Sequence, residues 1–330
     1  MGVNEKTILP DATDVAAAAK RLAGVAVRTP LINAPVLDER LGARVFLKAE
    51  TLQRTGSFKF RGAYNKISSI PPQKRAAGVV AYSSGNHAQG VAAAAKLLGI
   101  PATIVMPRDA PQAKRRRTEA LGAEVVAYDR DTEDRAAIGA RIAAERGATL
   151  VPPYDDPLII AGQGTIGAEI VEDLRWLSLK PQVVIIGVSG GGLAAGTALG
   201  IKAKVPSAEI YAAEPEGFDD TLRSFASGQR ESNAHMSGSI CDALMSATPG
   251  ELTFPINREL IGKGMTVSDD EVGRAVRYAF EELKLVVEPG GAIGLAALLA
   301  GKLDVAGKVV ATVLSGANVD AELFARLINA

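Results

Sequence analysis

One lysine of this chain lies between two aromatic residues, an arrangement that could make its amine a nucleophile. Lys59 follows Phe58 and precedes Phe60. Apolar neighbours disfavour the charged ammonium and lower its pKa, and a lysine that forms Schiff bases needs such surroundings. The alternative is a surface lysine whose stem packs along the two rings.

Two further segments place hydroxyl, amide and glycine residues at the start of a predicted helix. They are residues 83–90 (Ser-Ser-Gly-Asn-His-Ala-Gln-Gly) and 187–196 (Gly-Val-Ser-Gly-Gly-Gly-Leu-Ala-Ala-Gly). Free N–H groups and the helix dipole favour a carboxylate or phosphate there, and glycines allow the backbone close to it. The alternatives are simple helix capping by Ser or Asn and a glycine turn. We expect the side chain of His87 to be a packed polar group and its backbone N–H to serve the anion site.

The second segment also allows a dinucleotide-binding interpretation. Gly190, Gly192 and Gly196 resemble the glycine fingerprint of that fold, and Glu214 follows the next strand at roughly the distance of a ribose contact. The spacing differs by one residue from the fingerprint. An NAD-dependent dehydrogenase therefore stays as an alternative from a different class.

Two later strand ends carry side chains rich in oxygen. Ser315 could cap the last helix or meet a cofactor ring nitrogen. The segment 214–220 (Glu-Pro-Glu-Gly-Phe-Asp-Asp) offers clustered oxygens that suit a hard cation such as Mg²⁺ or Ca²⁺. An acid that caps the following helix is the equal alternative.

The elements that position these residues alternate between short apolar runs and alanine-rich stretches. Strands are predicted at residues 44–48, 78–83, 102–106, 124–128, 149–151, 183–188, 209–213 and 308–314, and helices at 86–98, 111–121, 132–146, 164–177, 193–204, 269–283 and 292–299. This alternation predicts parallel sheets in an α/β fold, and 330 residues suggest two lobes. Residues 218–263 lack periodicity and are predicted as an irregular functional loop, and the basic run 114–117 as a solvated helix face.

Composition limits the classes of function. Lys plus Arg and Asp plus Glu number 37 each, which argues against a nucleic-acid partner. One cysteine excludes an intrachain disulfide framework, and with two histidines makes a conventional zinc site unexpected. The first six residues lack an apolar signal core, and no apolar run is long enough to cross a bilayer. We expect a cytoplasmic protein without a membrane partner.

Taken together, the segments resemble the serine/threonine dehydratase and serine racemase family, which are pyridoxal-phosphate (PLP) enzymes of the tryptophan-synthase β fold type. Five segments in family order carry the resemblance: residues 57–59 (Ser-Phe-Lys), 83–87 (Ser-Ser-Gly-Asn-His), 161–165 (Ala-Gly-Gln-Gly-Thr), 189–192 (Ser-Gly-Gly-Gly) and 315–318 (Ser-Gly-Ala-Asn). The resemblance implies a two-lobed fold-type-II enzyme in which each lobe is an open, mostly parallel sheet flanked by helices. It also implies a homodimer, with residues 1–52 and 152–330 as the large domain and 53–151 as the small domain.

The same resemblance implies roles for individual residues. Lys59 would hold PLP as a Schiff base and move the Cα proton, while Ser84 would face the other side of the ring. The implied cofactor contacts are Phe58, Lys59, Asn86, Ser189, Gly190, Gly191, Gly192, Leu193 and Ser315. The implied substrate contacts are Ser83, Ser84, Asn86, His87 and Arg135. A divalent cation, Mg²⁺ or Ca²⁺, would bind Glu214, the carbonyl of Phe218 and Asp220.

The activity implied is elimination of water from threonine or serine, which yields a 2-oxo acid and ammonia. The nearest alternatives are a serine racemase and a 3-hydroxyaspartate dehydratase on the same scaffold. Ser84 bears on that choice, because racemase and hydroxyaspartate-dehydratase members carry serine at this point while many threonine dehydratases carry alanine. The chain departs from much of the family at Ala243, where a glycine beside the ring is usual. That departure leaves the identity of the small amino-acid substrate open.

Overall fold

The strands of the computed structural model, which describes residues 9–329, form two sheets. The larger sheet has the order β1 (Leu31–Asn33), β2 (Arg44–Ala49), β10 (Val309–Leu314), β7 (Val183–Gly187), β8 (Glu209–Pro215) and β9 (Gly264–Val267). Its pairs are parallel except for β1 with β2. Its central strands are apolar and buried on both faces, as expected when helices cover both sides of a parallel sheet.

The smaller sheet is entirely parallel. Its order is β5 (Glu124–Tyr128), β4 (Ala102–Pro107), β3 (Val79–Tyr82) and β6 (Thr149–Leu150). These four strands all fall within the segment 53–151 that the sequence assigns to a small domain. The division of the chain into two domains stays a prediction, and the predicted α/β class with two open, mostly parallel sheets is confirmed.

Fourteen helices surround the sheets in the described part of the chain. They are α1 (Ala12–Leu22), α2 (Pro35–Leu41), α3 (Lys59–Ser68), α4 (Pro72–Arg75), α5 (Asn86–Leu98), α6 (Gln112–Ala120), α7 (Arg135–Arg146), α8 (Pro157–Trp176), α9 (Gly192–Lys202), α10 (Asp220–Ser227), α11 (Thr253–Leu260), α12 (Asp269–Glu281), α13 (Pro289–Leu299) and α14 (Ala321–Asn329). The prediction that residues 218–263 are irregular is wrong for α10 and α11. Both are short, and eight residues give too little periodicity to recognise.

Helix α8 packs closely against α3 and α9 because glycines remove side chains at the contacts. A Cβ on Gly162 would lie 2.6 Å from the Cα of Gly62. A Cβ on Gly196 would lie 2.6 Å from the backbone nitrogen of Gly164. The close contact therefore fixes the positions of α3 and α9 relative to each other.

A buried ionic cluster fixes the start of α3. Arg61 is fully buried, and its Nε and Nη2 donate to the two carboxylate oxygens of Glu50 at 2.8 Å each. Its Nη1 and Nη2 donate to Glu169 of α8 at 2.7 and 2.9 Å. Lys48 at the end of β2 adds a second cation, 2.7 Å from Glu169. A buried charge is tolerated only when paired, so the cluster ties β2, α3 and α8 together.

No helix within residues 9–329 is both long and apolar enough to cross a bilayer. The N-terminal segment that lacks an apolar signal core belongs to residues 1–8, which lie outside the described residues.

We predict that Arg61→Met lowers the free energy of unfolding by about 3–5 kcal/mol, because it leaves buried carboxylates without their partner. Denaturant unfolding measures the change. Arg141→Met is the matched control, since Arg141 forms an exposed pair with Glu145 on α7 and should cost about 0.5 kcal/mol or less. Equal stability of the two variants would show that the cluster contributes nothing specific.

Candidate active site

A cavity of about 230 Å³ collects the residues predicted for the cofactor and the substrate. Its lining includes Phe58, Lys59, Ser83, Ser84, Asn86, His87, Arg135, Ser189, Gly190, Gly191, Gly192, Leu193 and Ser315. These residues come from five separate segments of the chain. Three of the segments follow the carboxyl ends of the parallel strands β3, β7 and β10, the edge at which open α/β sheets bind ligands.

Lys59 is the first residue of α3, and its amine points into this cavity. Its Nζ donates to the carbonyl of Pro153 at 2.7 Å and lies 5.1 Å from the centroid of the Phe58 ring. The side chain as a whole is half-buried, and the amine at its end is surrounded by protein atoms at the base of the cavity. Burial lowers the pKa of Lys59 to about 8, and the nearby carboxylate of Glu288 opposes that shift. A neutral amine is therefore accessible near neutral pH.

The turn between β3 and α5 presents unpaired helix N–H groups. The N-cap residue is Gly85, and no side chain caps the helix. Ser83 Oγ accepts instead from the N–H of Gly85 at 3.2 Å, in the turn before the helix. Capping by Ser or Asn is thus absent here, and the first turn of α5 remains open to an anion.

His87 is packed, as the sequence predicts. It is buried, and its Nε2 lies 2.8 Å from the carbonyl oxygen of Val151. Burial, followed by the charge of Lys59, lowers the pKa of His87 to about 3. The ring therefore stays neutral near neutral pH.

The glycine loop before α9 has no room for side chains. A Cβ on Gly190 would lie 2.3 Å from the ring of Tyr154, and one on Gly192 would lie 2.9 Å from the Cβ of Tyr154. Gly191 is the N-cap and has φ +93°, a conformation that favours glycine. No side chain caps α9 either, so a second open helix N-terminus borders the cavity.

Glu288 is a buried acid in this cavity that the sequence interpretation missed. Its Oε1 accepts from Asn86 Nδ2 at 2.6 Å, and Asn86 Oδ1 in turn accepts from Asn318 Nδ2 at 2.7 Å. Burial raises the pKa of Glu288 to about 7, and Asp242 adds to the shift. The signal available in the sequence was an acid directly before the Pro-Gly-Gly start of a helix.

Two further lining residues, Lys114 and Tyr154, were misassigned or missed. Lys114 was predicted on a solvated face, but it lines the cavity and lies 3.2 Å from the carboxylate of Asp242. The exposed residues 115–117 do match that prediction. Tyr154 lies against the glycine loop, and nothing in its local sequence indicated this position.

Arg135 begins α7 and is exposed at the cavity. Among residues 9–329, no carboxylate lies within ion-pair distance of its guanidinium. It therefore provides positive charge to which an anion could bind.

The residues predicted to bind a cation lie apart from the cavity, where β8 leads into α10. Glu214 accepts from the N–H groups of Thr221 and Leu222 at 3.1 and 2.9 Å, so it caps α10 as the alternative interpretation expected. Asp220 accepts from Asn233 at 2.6 Å through Oδ1, while its buried Oδ2 has no partner among the described residues. Burial raises the pKa of Glu214 to about 8 and that of Asp220 to about 6.

The part of the chain that the structure describes contains no group of three or more His, Cys, Asp and Glu side chains placed to hold a metal ion. The predicted set has two carboxylates and a backbone carbonyl.

Comparison with known proteins identifies relatives along nearly the whole chain. A family model described as pyridoxal-phosphate dependent enzyme matches residues 22–316. The chain is 48% identical to an L-threo-3-hydroxyaspartate ammonia-lyase of Pseudomonas, with 96% of this chain and 97% of the relative covered. It is 42% identical to an L-threonine ammonia-lyase of Thermotoga maritima, with 96% and 77% covered.

A solved structure gives the same likeness in three dimensions. Maize serine racemase superimposes with a TM-score of 0.91 at 36% identity, and the match covers 98% of each chain. The resemblance drawn from the five sequence segments is confirmed.

Proposed function

We propose a function from one premise: this chain belongs to the family of pyridoxal-phosphate-dependent enzymes. Within that family it is an ammonia-lyase that removes water from a small β-hydroxy amino acid, threonine or serine, and yields a 2-oxo acid and ammonia. The observation that carries the proposal is the desolvated amine of Lys59, which shares one cavity with two uncapped helix N-termini. The alternative of an NAD-dependent dehydrogenase rests only on the glycine spacing, whereas the family match supports a PLP enzyme.

The residues present fit PLP. The glycine loop before α9 packs so closely against Tyr154 that no Cβ would fit at Gly190 or Gly192, and the bare backbone leaves its N–H groups accessible to a phosphate. Two open helix N-termini favour the phosphate and a substrate carboxylate. Lys59 supplies an amine that can lose its proton. When bound, PLP supplies the electron sink that stabilises negative charge at the substrate Cα.

The chain's own residues then have separate tasks. Lys59 would anchor the cofactor and, once released by the substrate amine, accept the Cα proton. Backbone N–H groups of residues 189–193 would hold the phosphate, Phe58 would flank the ring, and Asn86 and Ser315 would contact its polar edge. Residues 83–87 would orient the substrate through its carboxylate and so align the Cα–H bond.

We predict that Lys59→Ala abolishes turnover and the visible absorbance near about 410–420 nm that a PLP Schiff base gives. Borohydride should fix the cofactor to Lys59 in the wild type, as peptide mass spectrometry would show. Lys96→Ala, an exposed lysine of α5, is the control and should behave like the wild type. Full activity and colour in Lys59→Ala would refute the assignment.

A 3-hydroxyaspartate substrate is the second candidate, and one observation favours it. Such a substrate carries a second carboxylate, and Arg135 lines the cavity without an ion-pair partner among residues 9–329. Lys114 adds another, although it already faces Asp242. A relative that is 48% identical carries the name L-threo-3-hydroxyaspartate ammonia-lyase. We propose that Arg135 binds the second carboxylate.

We predict that Arg135→Ala lowers kcat/KM for 3-hydroxyaspartate by about tenfold or more, as expected when a charged contact is lost. The value for L-threonine, which has no second carboxylate, should change about twofold at most. Steady-state assays of oxo acid across both substrates test this. Arg141→Ala on the same helix is the matched control. An equal loss on both substrates would eliminate the proposed contact.

Serine racemase is the alternative within the family, and it depends on Ser84. Ser84 lines the cavity on the turn before α5, and we propose that it lies on the face of the cofactor opposite Lys59. A hydroxyl there could return a proton to Cα instead of allowing elimination. Inversion of L-serine, measured beside oxo-acid release, separates the two outcomes.

We also propose that a divalent cation, Mg²⁺ or Ca²⁺, binds Glu214, the carbonyl of Phe218 and Asp220. Two buried carboxylates that form no ion pair among residues 9–329, one of them with an oxygen that has no hydrogen-bond partner there, support this set. The cation would be structural or activating, since the electron sink is the cofactor.

We predict that EDTA lowers the melting temperature of the wild type by about 3 °C and that Mg²⁺ or Ca²⁺ restores it, because a ligand of the folded state stabilises it. Asp220→Asn should remove the response. The neighbouring Asp219→Asn, whose residue pairs with Arg223 at the surface, should keep it. A wild type indifferent to EDTA and to added cation would argue against the site.

Finally, we propose a cytoplasmic homodimer. The dimer follows from the resemblance to the family, and the location is supported by the free, buried Cys241, which suits a reducing compartment.

A further inference from the structure

Side chains of helix α11 donate hydrogen bonds to two carbonyl groups of the glycine loop. Thr253 Oγ1 donates to the carbonyl of Gly190 at 2.6 Å, and the backbone N–H of Gly250 donates to the same oxygen at 3.2 Å. Asn257 Nδ2 donates to the carbonyl of Gly191 at 3.2 Å. The carbonyl of Gly191 also accepts from the backbone N–H of Ala195 in α9 at 2.9 Å. Side chains of one short helix therefore contact two successive peptide groups of the loop, and Thr253 supplies the shorter contact.

Thr253 and Asn257 both contact the glycine loop from the protein interior. They are four residues apart on α11 and thus share one face of the helix. Both are fully buried. The helix itself is anchored by Asp155, whose carboxylate accepts from the N–H groups of residues 251, 252 and 253 at 2.8–3.2 Å.

Fixing the carbonyls also fixes the N–H groups. In a planar trans peptide the N–H points opposite to the C=O, so carbonyls turned toward α11 leave the N–H groups of Gly191 and Gly192 directed away from it. A run of glycines can flip such peptides at little cost. An anion site made of backbone N–H groups needs them held in one orientation.

We propose that Thr253 and Asn257 are positioning residues for the cofactor phosphate: they hold the peptides 190–191 and 191–192 so that their N–H groups face the phosphate. Neither residue lines the cavity, so neither contacts the cofactor. The inference rests on the proposed role of residues 189–193 as the phosphate cradle.

The test compares PLP with pyridoxal, which lacks the phosphate, on the full chain stripped of cofactor. Thr253→Val should weaken PLP binding by about fivefold, and Thr253→Val with Asn257→Leu by about tenfold or more. Pyridoxal affinity should stay within about twofold in both variants, because only the phosphate uses the oriented N–H groups. Thr253→Ser keeps the hydroxyl and should restore PLP binding.

Thr197→Val is the matched control. Thr197 is fully buried on α9, close to the loop, but its hydroxyl has no hydrogen-bond partner among the described residues. It should bind PLP like the wild type. Should Thr253→Val also bind PLP like the wild type, or should PLP and pyridoxal affinity fall together, the positioning role is wrong.

A separate measurement tests the cradle on which the inference rests. Inorganic phosphate added to the pyridoxal-loaded wild type should shift the amide NMR signals of Gly191 and Gly192. If those signals do not move, the cradle itself is wrong, and the proposed function loses its phosphate site. If they move and Thr253→Val has no effect, only the role of α11 fails.

Discussion

The paired charges around Arg61 determine where Lys59 can lie. Arg61 follows Lys59 by two residues, in the first turn of α3, and its guanidinium is fully enclosed by Glu50 and Glu169. A guanidinium without its carboxylates would be too costly to bury. The first turn of α3 cannot shift without breaking this cluster. The backbone of Lys59 is therefore fixed in position. A side chain that must bond to a cofactor atom requires such a fixed position.

The segment 161–165 lies in α8 and positions two neighbouring helices. In the sequence it was only one of the five segments that carry the family resemblance. In the structure, Gly162 and Gly164 let α8 approach α3 and α9 at backbone contact, and Thr165 accepts from Arg61 at 3.1 Å. The same helix thereby positions the start of α3, which carries Lys59, and the start of α9, which carries the glycine loop.

The sequence predicted elements well where periodicity or composition was strong, and less well where distant contacts decide the structure. The limits of α5 and β5 match their predictions, and the motif residues meet in one cavity. Helix α11 escaped notice because its start depends on Asp155, almost a hundred residues earlier. Lys114 was misassigned because a basic run shows charge but not which member turns inward. Glu288 was missed because an acid before a Pro-Gly-Gly helix start is a weak signal, and only its contact with Asn86 places it in the cavity.

The electrostatics of the cavity explain how these parts combine. Two helix N-termini and Lys59 create positive potential, which suits a phosphate and a substrate carboxylate together. His87 does not add to that potential, since burial and Lys59 keep its ring neutral. A carboxylate bound at the start of α5 would therefore be held by N–H and hydroxyl donors, which orient it without forming an ion pair. Arg135 lines the same cavity and has no ion-pair partner in the described part of the chain. A substrate with a second carboxylate would bind to this guanidinium, whereas threonine has no group that could.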